Sequence, residues 1–425
     1  MSSSLPTERP QTLKIAHVSK SDAWGGGASR TAQDLTASLN ARGHKTTHFC
    51  AWAGAGFGDT RRPLFGTGLI QRGIRKAHRV AGRLGFPELV PFELPMAIAQ
   101  GLVRDYDVVH FHDLTTAISP LTIRYVSSRR PTFWTLHDCS PVTGGCIFPL
   151  GCERYKTRCG TNGGCPQLSD WPLECKIDNT GFMQSVKQSL HRTRRVHNIA
   201  GSNWMADFAV ESGKMPIRPT VIPYSADTRL FRPADDRSAL RRSLGLPVDG
   251  PIVLVSGSLL RDERKGIRHS LAAIAACADL SPFVLVIGGE PDDRFRAAIG
   301  SLPHKMTGYV SDQEQLARWY AAADVFLFCS LAETGPLSVA ETMACGTPFV
   351  GFDAGGISDM VVPHETGIVV GQGDEAGLAR ALRHILSGGR AEAWGRAARR
   401  RAESRYSYEA YTDRHVSLYE QALVR

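Results

Sequence analysis

Two glutamates, Glu333 and Glu341, stand eight positions apart in the run Glu333-Thr-Gly-Pro-Leu-Ser-Val-Ala-Glu341, which continues through Thr342-Met-Ala-Cys-Gly-Thr-Pro348. Before them, Asp324-Val-Phe-Leu-Phe-Cys329 has the unbroken apolar character of a buried strand. Ser330 to Gly335 then reads as a loop at that strand's carboxyl end, with Pro336 in the first turn of a helix. Glu333 falls on the loop and Glu341 inside the helix, both beside the strand ends where open parallel sheets bind ligands. Carboxylates so placed could act as an acid/base pair or as acceptors for hydroxyl groups.

What surrounds the pair favours hydroxyl binding. In Arg261-Asp-Glu-Arg-Lys-Gly266, which follows an earlier strand, Arg264 and Lys265 could neutralise a diphosphate as charge-assisted donors. Gly355-Gly356, after the strand Phe349 to Phe352, would offer backbone amides at a helix start. Glu341 could then accept both hydroxyls of a ribose and Glu333 those of a sugar. Taken singly, Lys265-Gly266 reads as a solvated turn and Gly355-Gly356 as a helix cap. On successive strand ends in this order, they read as one nucleotide-sugar site.

The first half carries a similar plan. Leu13 to Ser19 reads as a buried strand, followed by the loop Trp24-Gly-Gly-Gly-Ala-Ser-Arg30 and a helical period through Leu35 and Leu39 that stops at Gly43. Gly26 and Gly27 would let a phosphate or substrate approach the backbone, although the pattern is not G-x-G-x-x-G. Thr46 to Trp52, Asp107 to His112 and Thr132 to His137 read as further strands, and residues 55 to 100 as glycine-interrupted and irregular. His110, His112 and His137 fall at strand ends, where a histidine is often a buried, satisfied ring. His137-Asp138 is the stronger candidate, since it opens into a cysteine-rich loop.

That loop holds Cys146-x5-Cys152-x6-Cys159-x5-Cys165, with Cys139 before it and Cys175 after it. Four thiols within twenty residues suit tetrahedral zinc, and the spacing lacks the usual C-x2-C pair. Structural zinc, free thiols and disulfides all stay open.

The 425 residues predict two or three domains, and 42% hydrophobic with 21% charged content is that of a soluble globular protein. The chain lacks an apolar run long enough to span a membrane, and Met1 to Gln11 reads as a frayed polar tail without a signal peptide's core. These features predict a cytoplasmic protein. The net charge of +9 is uneven, with seven Arg/Lys and no acid between Arg61 and Phe86. Apolar residues threaded through that stretch fit either an anionic membrane surface or a solvated helix beside a cleft. Without interleaved stacking aromatics it does not suit nucleic acid.

Further βα units follow: Asn198 to Ser202 is a short strand, Val221 to Asp227 a last strand running into a linker, then Ile252 to Gly257, Phe283 to Gly289 and Gly367 to Val370. The prediction is an α/β chain of two doubly wound, Rossmann-like domains facing a central cleft. Residues 1–233 form an acceptor-side domain with a Cys-rich insertion at 139–175, and 234–400 a donor-binding domain. Residues 401–425 form a closing helix.

Lys265-Gly266, the Glu333/Glu341 pair with Met343-Ala-Cys-Gly-Thr-Pro348, and Gly355-Gly356 together resemble the donor signature of retaining glycosyltransferase family 4, of GT-B fold. Gly26-Gly27-Ala28, Phe111-His112, His137-Asp138 and Thr143-Gly-Gly-Cys146 through Cys165-Pro-Gln167 resemble its bacterial exopolysaccharide branch, of the colanic-acid transferase type. The resemblance implies a donor pyrophosphate on Lys265 and Arg264, ribose on Glu341, and donor sugar on Glu333 with amides near Gly355 and Gly356. It places His137 near the transferred sugar, Gly26-Gly27 on the acceptor side, and the last helix back on the N-terminal domain. It further implies a UDP-, GDP- or ADP-sugar donor, a glycan or lipid-linked oligosaccharide acceptor at the inner membrane face, and no cofactor for catalysis. Three positions depart from the pattern: Tyr224-Ser225 replaces Asn-Gly, Asp359 replaces a Glu, and Ser258 or Leu259 stands where many members have an Arg. Arg261 is the nearest substitute for that Arg. A nucleotide-sugar-binding protein without transfer and a GT-B epimerase are the alternatives.

Overall fold

A computed structural model of the chain describes residues 12–54, 56–161, 163–257, 260 and 262–424. Ser258, Leu259 and Arg261 lie outside the described residues, as does the N-terminal stretch Met1 to Gln11 read as a frayed tail. The chain divides into two compact units. One runs up to Ile199 and adds Ala209–Thr220 and the residues from His415 onward; the other takes Ala200–Phe208 and Val221–Arg414.

The first unit is built on a seven-stranded sheet ordered β3-β2-β1-β4-β5-β6-β7. Its strands are β1 (Lys14–Ser19), β2 (Lys45–Cys50), β3 (Arg61–Pro63), β4 (Val108–Phe111), β5 (Thr132–Leu136), β6 (Val196–Ala200) and β7 (Thr220–Val221). β1 pairs in parallel with β2 on one side and β4 on the other, so the chain order reverses there. The second sheet is ordered β10-β9-β8-β11-β12-β13, from β8 (Ile252–Gly257), β9 (Phe283–Gly288), β10 (His304–Met306), β11 (Val325–Phe328), β12 (Phe349–Phe352) and β13 (Gly367–Val370). β8 takes the corresponding place between β9 and β11. Both units are therefore doubly wound, and in each a switch point opens at the carboxyl ends of the two central strands.

In the second unit the central strands β8 and β11 are almost wholly apolar because helices cover both faces. Leu254, Phe326 and Phe349 enter one core of the second unit, and their neighbours Val253, Val325, Leu327 and Val350 enter the other. Each such side chain, fully buried, contributes about 1.5–3 kcal/mol.

Four elements differ from the sequence reading. The stretch read as irregular holds a sixteen-residue helix, α2 (Gly68–Arg83), which tolerates Gly73 and Gly82. β3 and β10 are three-residue edge strands, Arg-Arg-Pro and His-Lys-Met, without an alternating apolar pattern. The strand expected over Val221 to Asp227 ends at Val221, because Pro223 offers no ladder donor. Beyond it the Ala226 N–H donates to Tyr406 O at 2.8 Å instead. Among the described residues, no helix is long and apolar enough to cross a membrane.

Candidate functional site

At the second switch point, β11 delivers the chain to Ser330 and Glu333, and β8 leads to a one-turn helix over Glu263–Lys265. Lys265 Nζ donates to Glu333 Oε1 at 2.7 Å, and Ser330 Oγ donates to the same oxygen at 2.8 Å. Arg264 Nη1 lies 3.4 Å from it and donates to Ala332 O at 3.0 Å. The other arm of Arg264 reaches Asp262 Oδ2 at 3.2 Å. The Lys265 and Glu333 side chains retain only 17% and 11% exposure, so their attraction is poorly screened by water.

Two glycines make this convergence possible. Gly266 has φ of +61°, and a Cβ there would stand 1.9 Å from Cys329 O. Gly355 has φ of +60°, and its Cβ would stand 1.8 Å from Glu333 O. No L side chain fits either place. The Gly356 N–H donates to Glu333 O at 2.9 Å, tying the Gly355-Gly356 loop directly under the glutamate. Lys265, Arg264, Glu333, Gly355 and Gly356 are thus gathered around one strand end. Glu341 sits in the middle of the helix Leu337–Ala344 and is 2% exposed. Arg261 lies outside the described residues.

The departures at Tyr224 and Asp359 acquire physical roles. The Tyr224 ring packs so closely on Gly335 and Gly201 that a Cβ on either would stand 3.2 or 2.5 Å from it. It thereby braces the loop that carries Glu333. Asp359 Oδ2 accepts from the backbone N–H groups of Asn203 and Trp204 at 2.5 and 3.2 Å, capping the helix Asn203–Glu211. Its carboxylate is committed to structure.

In the first unit, Gly26 (φ +98°) precedes α1 (Gly27–Ala41), and the loop before it is held by Asp22, which accepts from Trp24 N at 3.2 Å. His137 follows β5 and joins a chain of imidazoles. His17 Nδ1 and His112 Nε2 lie 3.0 Å apart, and His112 Nδ1 and His137 Nε2 lie 3.2 Å apart. Burial pushes all three rings down, His17 and His112 well below the usual histidine value and His137 to about 4, with Asp113 opposing the last. They are neutral at physiological pH, one proton each. His17 Nε2 is buried without a hydrogen-bond partner, and an orphaned N–H is costlier than an orphaned lone pair. His17 therefore carries its proton on Nδ1 and donates to His112, which donates to His137 Nε2. The relay fixes His137 as the Nδ1–H tautomer.

The nitrogens of His17, His110 and His112 also approach within 4.8 Å of one another, the only such set of potential metal ligands among the described residues. Both His110 nitrogens are engaged, at 2.7 Å from Tyr419 OH and from Thr135 Oγ1. The His110 and His112 rings stack with centroids 4.2 Å apart, presenting faces rather than lone pairs. This is a hydrogen-bonded histidine core rather than a metal centre. The sequence showed the histidines but not their mutual contacts, which depend on the β1–β4 register that sets His17 opposite His110.

Cys146, Cys152, Cys159 and Cys165 all line one small cavity, in a segment whose regular structure is little more than one turn at Arg154–Thr157. Burial raises the Cys146 thiol to about 12 and the Cys159 thiol to about 11. No three of the four sulfurs come within 4.8 Å of one another. A tetrahedral thiolate set would require the loop to draw these sulfurs inward.

Residues 25–230 match the model of Glycosyltransferase Family 4, and residues 250–388 that of Glycosyl transferases group 1. The chain belongs to the family 4 glycosyltransferases. Among relatives, a D-inositol 3-phosphate glycosyltransferase of Acidothermus cellulolyticus is 34% identical over 192 residues, 42% of this chain and 42% of its own length. An MMP α-(1→4)-mannosyltransferase of Mycolicibacterium hassiacum is 27% identical over 355 residues, covering 80% and 77%. The fold is that of a sucrose-phosphate synthase from Thermosynechococcus elongatus (TM-score 0.70, 22% identity, 97% of this chain and 99% of that one). Anabaena HepE, solved with UDP-glucose, is similar at TM-score 0.66 and 17% identity over 96% and 100%. As a family 4 glycosyltransferase, the protein has the GT-B class of α/β fold, two Rossmann-like domains each with a parallel sheet.

Proposed function

We propose that this glycosyltransferase moves a sugar from a nucleotide-diphospho-sugar to a glycan or lipid-linked oligosaccharide, with retention at the anomeric carbon, in bacterial exopolysaccharide assembly. The convergence of Lys265, Arg264 and Glu333 on one strand end carries the reading. Lys265 and Arg264, joined by Arg261, bind the pyrophosphate. Glu341 binds the ribose, and Glu333 with the amides at Gly355 and Gly356 binds the sugar. His137 faces the transferred sugar as a neutral Nδ1–H donor, and Gly26-Gly27 lies towards the acceptor. A relative solved with UDP-glucose supports a nucleotide-sugar donor.

In the reaction, the bond from the anomeric carbon to the diphosphate oxygen breaks while the acceptor oxygen arrives on the same face. The departing diphosphate takes the acceptor's proton. Lys265 and Arg264 stabilise the charge that develops on the leaving group, a preorganised electrostatic role for which no metal is required. The exposed Leu69, Ile70 and Val80 on basic α2 support peripheral contact with the anionic inner membrane from the cytoplasmic side. The four cysteines around one cavity support a structural zinc held by Cys146, Cys152, Cys159 and Cys165. The donor site is tested by transfer from labelled nucleotide sugars to a membrane-extracted acceptor. A Lys265→Ala protein that kept full transfer would contradict it.

A further inference from the structure

A cavity of about 380 Å³ lies wholly within the first unit. One wall is α2, from which Arg75, Arg79 and Arg83 line it at four-residue spacing, one helical face. Among the described residues no carboxylate pairs with any of the three; Arg75 instead lies over the Trp52 ring at 5.6 Å. Three unpaired guanidinium groups on one face repel each other, a cost that a bound anion removes. Trp52 and the half-exposed Trp171 add two indole faces to the walls. Flat aromatic surfaces of this kind take up the C–H faces of pyranose rings.

The floor supplies a separate observation. Glu88 is 3% exposed and lines the cavity, and its Oε2 has no hydrogen-bond partner, although Lys187 Nζ stands 3.3 Å away as an ionic contact. Its other oxygen accepts from the Thr116 N–H at 3.2 Å. Glu88 and Thr116 both hold left-handed backbone, φ +68° and +65°, as does Glu174 on the rim, φ +47°. Strained non-glycine positions persist where the surrounding structure fixes a functional geometry. Here three of them meet at one cavity.

We infer that this cavity binds the acceptor, and that the acceptor is a saccharide bearing a phosphate or pyrophosphate group. The arginines of α2 take the phosphate, the two tryptophans stack the sugar, and Glu88 Oε2 accepts a sugar hydroxyl. The inference rests on the transferase reading for the word acceptor, but not for the binding itself. The phosphate could be that of a soluble sugar phosphate or of a polyprenyl-linked saccharide, and both present the same chemistry.

Calorimetric titration of the full chain tests it with N-acetylglucosamine 1-phosphate, inorganic phosphate and neutral N-acetylglucosamine. A further arm uses vesicles with and without a polyprenyl-pyrophosphoryl N-acetylglucosamine. The sugar phosphate, free or in vesicles, should bind more tightly than phosphate or neutral sugar, and the stronger of its two arms identifies the source. Arg79→Gln/Arg83→Gln should weaken that binding at least tenfold, and Glu88→Gln should weaken the sugar phosphate more than inorganic phosphate. Unchanged thermal unfolding of each variant serves as the folding control. Equal binding of neutral sugar, or an undiminished affinity in the double arginine variant, overturns the inference. Binding of UDP-, GDP- and ADP-glucose is measured in parallel. Retained nucleotide-sugar binding without sugar-phosphate binding overturns this inference alone, whereas loss of nucleotide-sugar binding overturns the donor reading.

Discussion

Lys265 Nζ and Glu333 Oε1 are 2.7 Å apart at the carboxyl end of β11, with Ser330 Oγ on the same carboxylate oxygen. The pair ties β8's following turn to the loop after β11. On the proposed reading, a diphosphate would compete with Glu333 for Lys265, and each bond it took would release the carboxylate towards the sugar. Binding and placement of the sugar would thereby be coupled through one ion pair.

Replacing Glu333 by Gln keeps the side chain's shape and removes the charge that competes for Lys265. We expect UDP, or the cognate nucleoside diphosphate, to bind at least as tightly as in the wild type, while kcat falls by about 10²–10³-fold, the cost of losing a transition-state contact. Titration and steady-state kinetics on one preparation separate the two. A weaker nucleotide with unchanged kcat would reverse the assignment.

Glu341→Gln should show the opposite pattern. The buried carboxylate is assigned to the ribose, and a hydrogen bond to a charged group contributes about 1.5–3 kcal/mol. KM for the donor should rise by about 10–150-fold with little change in kcat, and a ribose-modified 2′-deoxy donor should lose affinity in the wild type but not in the variant.

The histidine core makes stability pH-dependent. Burial holds His48, His137 and His191 down at about 4, and His17, His110 and His112 well below their usual value. In the unfolded chain each binds a proton near pH 6.5. The unfolded state therefore binds more protons below that pH, so stability is full above about 6.5 and falls as pH drops towards 4, by about 1.4 kcal/mol per pH unit for each ring. Thermal unfolding should be level from pH 7 to 8 and decline steeply from 6.5 to 5. A midpoint that holds or rises on acidification would contradict this.

The tautomer of His137 is open to direct measurement. Nitrogen-15 spectra should show its proton on Nδ1, and His112→Phe should release it to a mixture. A wild-type proton on Nε2 would overturn the direction of the relay.

Elemental analysis of protein purified without metal-affinity resin should give about one zinc per chain, lost together with Cys152→Ser and Cys165→Ser. Metal-free protein with freely titrating thiols would remove the zinc reading.

Much of this was legible in the sequence because parallel strands announce themselves as short apolar runs, as Val325–Phe328 and Phe349–Phe352 do. Glu333, Lys265 and Gly355 could be placed on successive strand ends from spacing alone. Their mutual distances could not, since a βα order says nothing of side-chain reach. A helix in the basic stretch was one of two readings, and the bounds of α2 were blurred by Gly73 and Gly82 and by apolar residues facing solvent, Leu69 at 80% exposure among them. The basic stretch was visible, but the cavity it walls needs Thr116 and Trp171 from distant segments. Asp359 stood out only as a replaced Glu, and its role as a helix cap was not legible because its partners Asn203 and Trp204 are more than 150 positions away.

The central claim is that the Lys265–Glu333 site holds a nucleotide sugar. Thermal unfolding of the wild type and of Lys265→Ala with UDP-, GDP- and ADP-sugars tests it most directly, since a ligand at about 100 times its Kd stabilises by about 2.7 kcal/mol. The account predicts that one base family raises the wild-type midpoint by several degrees, about 2–4 °C per kcal/mol at this size or less, and leaves Lys265→Ala unmoved. No response to any nucleotide sugar, or an equal response in both proteins, would contradict it.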